Sequence, residues 1–161
     1  MDEQVWSGTS VTIEATVNGQ PVVATVPTHR LLIDFLREDL HLTGAKRACD
    51  VQVCGACTVL VDGQPVSACT YLAFEIDGKR VETAEGLIAN GAFHPVAEAF
   101  VAHGALQCGY CTAGMVMAAN SLLDANPNPS EDEIKAYMNG NLCRCTGYKK
   151  IVDAIRSVAR D

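Results

Sequence analysis

The stretch Cys49-Asp-Val-Gln-Val-Cys-Gly-Ala-Cys57 contains three cysteines with the spacing C-x4-C-x2-C. A fourth cysteine, Cys69, follows after a predicted strand and a turn, on a second predicted strand. This is the plant-type ferredoxin spacing for a 2Fe–2S cluster, with three ligands on one loop and the fourth on a neighbouring strand. Small residues keep the loop compact, so that backbone N–H groups can hydrogen-bond the sulfurs; they are Gly44, Ala45, Ala48, Gly55 and Ala56.

A second set of cysteines consists of the pairs Cys108-x2-Cys111 and Cys143-x-Cys145. Residues three apart in a helical turn share one side, and so do residues two apart in an extended segment. We therefore expect each pair to hold one iron, so that four thiolates form a second 2Fe–2S site. The chain between the pairs contains two predicted helices, which lets it leave the site and return.

The composition restricts the class of protein. The 161 residues are 48% apolar and 19% charged, which fits one domain or two small ones and excludes a disordered chain. The net charge of −7, without basic clusters, predicts no nucleic-acid partner. No apolar run approaches the roughly 20 residues that span a bilayer, so no membrane span is expected.

The redox state of the cysteines depends on the cellular compartment of the protein. The segment Met1–Ser10 lacks the basic start and apolar run of an export signal, so we expect a cytoplasmic protein. Thiols stay reduced in the cytoplasm, and eight cysteines there favour metal ligation over disulfides.

The first half of the chain is predicted to be rich in strands. Val11–Val17 and Val22–Val26 alternate in polarity around the turn residues Asn18-Gly19, which predicts a hairpin. The other elements predicted here are a helix capped by Thr28 with Leu31, Leu32, Phe35 and Leu36 on one face, a loop from Thr43 to Cys57, strands Thr58–Val61 and Pro65–Thr70, and a hairpin joining Phe74–Ile76 to Arg80–Thr83.

The second half is predicted to be helical. Ser130 and Glu133 form a capping-box pattern, and the run from Asn126 to Pro129 separates two helices. The segments with helical spacing are Glu85–Asn90, Pro95–His103, Gly109–Ala125, Ser130–Met138 and Gly147–Arg160. The sequence therefore predicts an α+β chain with a domain at 1–83 and a helical domain at 84–161.

The cysteine pattern alone leaves other classes of protein open. Zinc also binds thiolates in fours, although zinc ribbons usually show two C-x2-C pairs. A secreted protein with four disulfides would also have eight cysteines, but we find no signal peptide in this sequence. A free-standing ferredoxin-like shuttle would hold the same clusters, but it would not need the helical half.

Other candidate sites are weaker. We find no phosphate-binding glycine loop and no Ser/His/Asp or Cys/His arrangement, so no catalytic residue is assigned to this chain. Arg144, between Cys143 and Cys145, either offsets cluster charge or faces solvent. The histidines show no ligand-like pairing; they are His29, His41, His94 and His103.

Three runs of sequence resemble the small iron–sulfur subunit of the xanthine oxidase family of molybdenum hydroxylases. They are Cys49-Asp-Val-Gln-Val-Cys-Gly-Ala-Cys57-Thr-Val, Gln107-Cys-Gly-Tyr-Cys111-Thr and Gly140-Asn-Leu-Cys-Arg-Cys145-Thr-Gly-Tyr148. Bacterial carbon monoxide dehydrogenase, 4-hydroxybenzoyl-CoA reductase and the quinoline and nicotine dehydrogenases have such subunits. The resemblance covers nearly the whole chain and implies a plant-type β-grasp ferredoxin-like domain followed by a four-helix 2Fe–2S domain.

The resemblance also implies an assembly. A large subunit would carry molybdopterin, as the cytosine dinucleotide, and hydroxylate a small aromatic or N-heterocyclic substrate. A medium subunit would carry FAD, and the complex would be a dimer of heterotrimers. This subunit would pass electrons from the molybdenum centre through two 2Fe–2S clusters to FAD.

The resemblance assigns a role to each cysteine. Cys108, Cys111, Cys143 and Cys145 would hold the cluster nearest molybdenum, and Cys49, Cys54, Cys57 and Cys69 the outer cluster near FAD. Gln107 and Cys145 match the family positions that contact the pterin. The alternative for Gln107 is a structural side chain that is hydrogen-bonded to backbone.

Two positions depart from the family pattern. Ala48 stands where glycine often precedes the first cysteine. Ala113 replaces the usual proline after Cys111-Thr, a position in the first turn of a helix where proline fixes φ. Neither change removes a ligand.

Overall fold

The computed structural model describes residues 9–89 and 91–159 and confirms the α+β class. The strands are β1 (Ser10–Val17), β2 (Gln20–Pro27), β3 (Thr58–Val61), β4 (Gln64–Ser67), β5 (Arg80–Glu82), β6 (Ile88–Ala89) and β7 (Ala92–Phe93). The α-helices are α1 (Leu32–Asp34), α2 (Pro95–Ala102), α3 (Thr112–Ala125), α4 (Glu131–Met138) and α5 (Lys149–Val158).

The β1–β2 hairpin follows from alternating side chains. Ile13, Ala15 and Val17 are buried on one face of β1, and the residues between them are more exposed. Asn18 and Gly19 have φ of 49° and 77°, the left-handed values that a two-residue hairpin turn requires. The predicted hairpin is confirmed.

The main sheet has the strand order β2-β1-β5-β3-β4. β5 lies in the middle, parallel to β1 and antiparallel to β3. The predicted hairpin of Phe74–Ile76 with Arg80–Thr83 is therefore wrong, and Ala73–Ile76 forms a 3₁₀ helix instead. The carboxylate of Glu75 stabilises that turn by accepting a hydrogen bond from the N–H of Leu72 at 2.9 Å.

The helix predicted after Thr28 begins later than expected. Leu31 has an extended backbone, with ψ of 145°, and forms a bridge to Leu72, so Thr28 does not cap the helix. α1 starts after Leu31 and continues directly into a π-helical turn, Phe35–Asp39. Three members of the predicted apolar face are fully buried; they are Leu32, Phe35 and Leu36.

Two further elements have different bounds. β4 ends at Ser67 rather than at Thr70, because a turn closed by the Thr70 N–H on the Ser67 carbonyl follows it. In place of the predicted helix Glu85–Asn90, the chain forms a 3₁₀ turn at Ala84–Leu87 and then β6. The first residue of β6, Ile88, pairs with Phe93 in β7. Asn90 lies outside the described residues.

Four α-helices follow β7 within the described part of the chain, near the predicted segments. α3 and α5 begin two or three residues later than predicted, because Gly109 and Gly147 have positive φ values of 80° and 63°. The capping box of α4 is confirmed: Glu133 accepts a hydrogen bond from the Ser130 N–H at 2.7 Å, and the Ser130 hydroxyl accepts one from the Glu133 N–H. Arg160 lies outside the described residues.

Each half of the chain has its own hydrophobic core, one around Phe35 and Ile76 and the other around Phe100 and Met115. The halves meet where α3 packs against β3 and β4. A Cβ at Gly114 of α3 would overlap the carbonyl oxygen of Gly55, so the backbones approach closely here. Throughout residues 9–89 and 91–159, no helix is long and apolar enough to cross a membrane.

Candidate metal centres

The first four cysteines lie on two segments that meet at the end of the sheet. Cys49, Cys54 and Cys57 lie on the predicted loop, which contains neither helix nor strand from residue 41 to residue 57. Cys69 lies in the turn after β4. Cys57 and Cys69 are 2% and 4% exposed and hydrogen-bond each other through their side chains, and Cys49 contacts Cys54 in the same way.

The sulfur of Cys49 is surrounded by backbone donors. The N–H groups of Val53 and Cys54 each lie 3.4 Å from it. Hydrogen bonds from the N–H groups of Val51, Val53 and Cys54 lower the pKa of Cys49 to about 6. The loop turns towards this sulfur through Asp50, which has a positive φ of 55°. The backbone therefore favours a thiolate here, the form that binds metal.

Cys57 has the opposite environment. Burial, and then the neighbouring Cys69, raise the pKa of Cys57 to about 12, and the charge of Cys54 adds to the effect. A metal that binds here must displace the thiol proton, as metal binding to cysteine does generally. The influence of Cys54 on Cys57 also shows that the two cysteine pairs lie close together.

The second four cysteines meet in an order that the spacing did not predict. The sulfur of Cys108 lies 3.6 Å from that of Cys145, and Cys111 hydrogen-bonds Cys143. The sulfur contacts thus run between the two sequence pairs. Cys108 and Cys111 do not share the expected helical face, because Gly109 has a positive φ and α3 begins only at Thr112. That each sequence pair holds one iron stays a prediction.

Three donors surround the sulfur of Cys143. The Thr146 hydroxyl donates to it at 3.1 Å, and the N–H groups of Thr146 and Cys145 lie 3.4 and 3.5 Å away. Burial opposes ionisation of Cys143, but these hydrogen bonds outweigh it, and the pKa of Cys143 is lowered. Burial and the contact with Cys143 raise the pKa of Cys111 to about 12.

The donor chemistry fits two 2Fe–2S clusters. In each such cluster, four thiolates bind two irons, and two cysteines on each iron match the paired sulfurs of both sets. Soft thiolates are the ligands that iron–sulfur clusters and zinc select. Among residues 9–89 and 91–159, no three His, Cys, Asp or Glu side chains converge as ligands of one metal ion.

The two residues matched to pterin contacts lie side by side. The Gln107 amide donates a hydrogen bond to the Cys145 carbonyl at 2.9 Å, and both residues are exposed. This is the backbone-bonded arrangement considered as the alternative for Gln107. Arg144 is exposed as well. His94 caps α2, with its Nδ1 3.4 Å from the Val96 N–H.

The two cysteine sets are joined through backbone. The N–H of Leu142 donates to the carbonyl of Cys54 at 2.9 Å, so a ligand candidate of one set is bonded to the neighbour of Cys143 in the other. The Tyr110 hydroxyl donates to the Arg47 carbonyl at 2.6 Å across the same junction. Sequence reasoning missed this junction, since nothing in the spacing relates the two sets.

Apolar side chains stand exposed beside both sets. Val51 and Val53 are 64% and 59% exposed on the first loop. Beside the second set, the exposed apolar side chains are Leu106, Tyr110 and Leu142. Exposed apolar patches of this kind are typical of protein–protein contacts.

Two family models match the chain. The 2Fe-2S iron-sulfur cluster binding domain matches residues 15–88, and the 2Fe-2S binding domain matches residues 83–156. Together they cover both cysteine sets. They define a protein with two 2Fe–2S-binding domains.

Similar sequences and a similar solved structure narrow the class of protein further. The chain is 49% identical to the nicotine 6-hydroxylase small subunit of Paenarthrobacter nicotinovorans, over 90% of this chain and 87% of that one. It is 47% identical to the nicotinate dehydrogenase small FeS subunit of Eubacterium barkeri, over 91% and 93% of the two chains. The structure of quinoline 2-oxidoreductase from Pseudomonas putida 86 superposes with a TM-score of 0.90 at 48% identity, covering 93% of each chain.

The chain belongs to the xanthine oxidase family of molybdenum hydroxylases, as a small iron–sulfur subunit. It is therefore a subunit of an oxidoreductase.

Proposed function

We propose that this chain carries electrons inside a heteromeric molybdenum hydroxylase, from the molybdopterin centre of a large subunit to FAD in a medium subunit. The observation that carries the proposal is the hydrogen bond between Leu142 and Cys54, which joins two four-cysteine sites back to back in one chain. A chain built in this way offers two adjacent one-electron centres.

The ligand assignment is part of the proposal. Cys49, Cys54, Cys57 and Cys69 hold the outer cluster, in a β-grasp domain at 1–83. Cys108, Cys111, Cys143 and Cys145 hold the inner cluster, in a four-helix domain at 84–161. Four thiolates in two contacting pairs support each quartet.

When bound, a 2Fe–2S cluster accepts and donates one electron at a time. The chain supplies ionisable sulfurs, donors to those sulfurs and a low-polarity setting. Backbone N–H groups keep the Cys49 sulfur anionic, and Thr146 does the same for Cys143. Burial of Cys57 and Cys69 shields two of the four ligands of the outer site from water.

The exposed apolar faces support an orientation between partners. The face formed by Leu106, Tyr110 and Leu142 docks on the large subunit, where Gln107 and Cys145 contact the pterin dinucleotide. The face formed by Val51 and Val53 docks on the medium subunit, near FAD. The whole complex is a dimer of heterotrimers in the cytoplasm.

The names of similar proteins support a substrate class for the complex. The similar small subunits are named for nicotine and nicotinate, and the similar structure is that of a quinoline enzyme. We propose that the large partner hydroxylates a small aromatic or N-heterocyclic compound. No residue of this chain is assigned a catalytic role.

Native purification tests the proposal. The chain should co-purify with a molybdenum-containing and a flavin-containing subunit, and it should hold about four irons, two for each 2Fe–2S site. A chain that purifies alone with its clusters would indicate a free-standing shuttle instead. Zinc in place of iron after anaerobic purification would contradict the proposal outright.

Ligand variants test the quartets. Cys54→Ser should abolish or alter one of the two EPR signals of the reduced complex, and Cys145→Ser should affect the other. Thr112→Val is the matched control, since Thr112 adjoins Cys111 but offers no sulfur. Loss of the same signal in both cysteine variants would refute the assignment to separate sites.

A further inference from the structure

We propose that the Thr146 hydroxyl raises the reduction potential of the inner 2Fe–2S centre, the one held by Cys108, Cys111, Cys143 and Cys145. The inference rests on the proposed function, because it requires that this quartet binds a cluster. It goes beyond that function by naming a residue that is not a ligand and that adjusts one of the two centres.

The hydroxyl lies at hydrogen-bonding distance from a ligand sulfur. Thr146 Oγ1 is 3.1 Å from Cys143 Sγ, which is short for a hydrogen bond to sulfur; Cys143 is buried and Thr146 is half-buried. The Thr146 N–H lies 3.4 Å from the same sulfur, so one residue supplies two donors.

The direction of the hydroxyl proton follows from its other partner. The N–H of Tyr148 donates to Thr146 Oγ1 at 3.3 Å, which occupies a lone pair and leaves the hydroxyl proton for the sulfur. Tyr148 is itself fixed, because its own hydroxyl accepts a hydrogen bond from the Cys143 N–H at 2.9 Å. Left-handed backbone at Gly147 and Tyr148 closes this small ring of contacts.

The outer quartet has no equivalent donor among the described residues. Cys49 accepts from the backbone N–H groups of its own loop. Thr70 directly follows Cys69, but its hydroxyl donates to Gln52 Oε1 at 3.2 Å or to the Ser67 carbonyl at 3.3 Å. Thr70 therefore provides a natural comparison for Thr146.

The effect on potential follows from charge. Reduction adds one electron to the oxidised centre and makes its sulfurs more negative, while no bond forms or breaks and the proton stays on Thr146 Oγ1. A donor to sulfur stabilises the more negative state, and hydrogen bonds to sulfur are among the controls of 2Fe–2S potentials. Removing the hydroxyl should therefore make the centre harder to reduce.

A redox titration of the assembled complex with dithionite, followed by EPR, tests the proposal in Thr146→Val, Thr146→Ser and Thr70→Val. The inner signal is identified as the one lost in Cys143→Ser. We expect Thr146→Val to lower the equilibrium constant for reduction of the inner centre roughly tenfold, which lowers its reduction potential by about 59 mV for one electron. Thr146→Ser should restore the parental value, and Thr70→Val should shift neither signal.

The outcomes separate the two proposals. An unchanged inner potential in Thr146→Val, with both signals and full iron content present, would overturn the role of Thr146 and leave the proposed function standing. Equal shifts in the valine and serine variants would also overturn it, since a packing change would then be the cause. A parental complex without two iron–sulfur signals would instead refute the proposed function.

Discussion

The side-chain amide of Asn141 donates a hydrogen bond to the backbone carbonyl of Gly55 at 3.0 Å, across 86 positions of the chain. The amide is also 3.4 Å from the Thr58 hydroxyl, which itself donates to Gly55. The next residue, Leu142, bonds the carbonyl of Cys54. Two consecutive residues beside Cys143 thus hold two consecutive carbonyls of the other cysteine loop.

Asn141→Ala should destabilise the junction between the halves. Asn141 is 5% exposed, so the substitution leaves the buried Gly55 carbonyl with fewer donors. The Thr58 hydroxyl still donates to this carbonyl, so the expected cost is that of one lost hydrogen bond, about 0.5–1.5 kcal/mol. The measurement is the midpoint of denaturant unfolding, followed by the visible absorbance of the iron–sulfur centres. The exposed Asn139→Ala is the control, and equal midpoints for the two variants would contradict the prediction.

Gly114→Ala should destabilise the same junction by a different route. Alanine is about 1 kcal/mol better than glycine inside a helix, so helix propensity alone predicts stabilisation. At Gly114, however, the new Cβ would overlap the Gly55 carbonyl oxygen, which is backbone and cannot move easily. We expect a lower unfolding midpoint and a weaker magnetic interaction between the two centres by EPR.

Gly140→Ala provides the control for this steric argument. A Cβ at Gly140 meets nothing within 4 Å, and the residue lacks the positive φ that favours glycine. The control should therefore match the parent in both measurements. Parental stability in Gly114→Ala would show that the halves can separate without cost.

The features that the sequence predicts correctly depend on residues close together in the chain. Asn18 and Gly19 adopt the left-handed backbone that a hairpin turn needs, and Ser130 and Glu133 close a cap within one helical turn. The two 2Fe–2S-binding domains that the family models match could be predicted for the same reason, because the cysteine spacing within each run is local.

The features that the sequence does not predict depend on contacts between residues far apart in the chain. β5 lies between β1 and β3 in the sheet and pairs in parallel with β1, with Thr16 opposite Arg80. Residues this far apart in the chain leave no local sequence pattern that would predict their pairing. The contact of Cys108 with Cys145 depends on how two loops meet. Thr146 could have been found, because a threonine directly after Cys-x-Cys can reach a ligand sulfur.

Ser130→Ala should weaken α4 by removing its N-cap. The Ser130 hydroxyl accepts the Glu133 N–H, and N-cap serine to alanine typically costs about 1 kcal/mol. The unfolding midpoint of the helical half should fall accordingly. Ser157→Ala is a matched control at the other end of the helical half, where the serine hydroxyl only bonds the Ala154 carbonyl within its own helix. An effect no larger than that of the control would contradict the role of the cap.

The contribution of Glu133 should depend on pH. Hydrogen bonds from the Ser130 hydroxyl and N–H lower the pKa of Glu133 below its ordinary value of 4.5. A carboxylate with a lowered pKa stabilises the fold above its unfolded pKa and loses this effect as the pH falls through its folded pKa. The melting temperature of Glu133→Ala should therefore lie below that of the parent at pH 7, and the difference should shrink below pH 4.5. A difference that is constant with pH would contradict this prediction.

Iron removal should loosen the first cysteine loop while leaving the sheet folded. Asp50 and Gln52 hold left-handed backbone at φ of 55° and 59°, which costs energy in residues other than glycine. The loop has neither helix nor strand of its own, so ligation is a main constraint on it. β3, in contrast, lies inside the sheet, with Val59 and Leu60 buried.

Hydrogen exchange measured by mass spectrometry should distinguish these regions after a chelator has removed iron from the complex. Peptides covering residues 47–55 should exchange faster than in the iron-loaded complex, while β3 and the β1–β2 hairpin keep their protection, because the core around Phe35 and Ile76 does not include the loop tip. The hairpin is the internal control. Unchanged exchange in the loop would show that backbone contacts alone hold its turns, and simultaneous loss of protection in β3 would show that the sheet itself depends on the cluster.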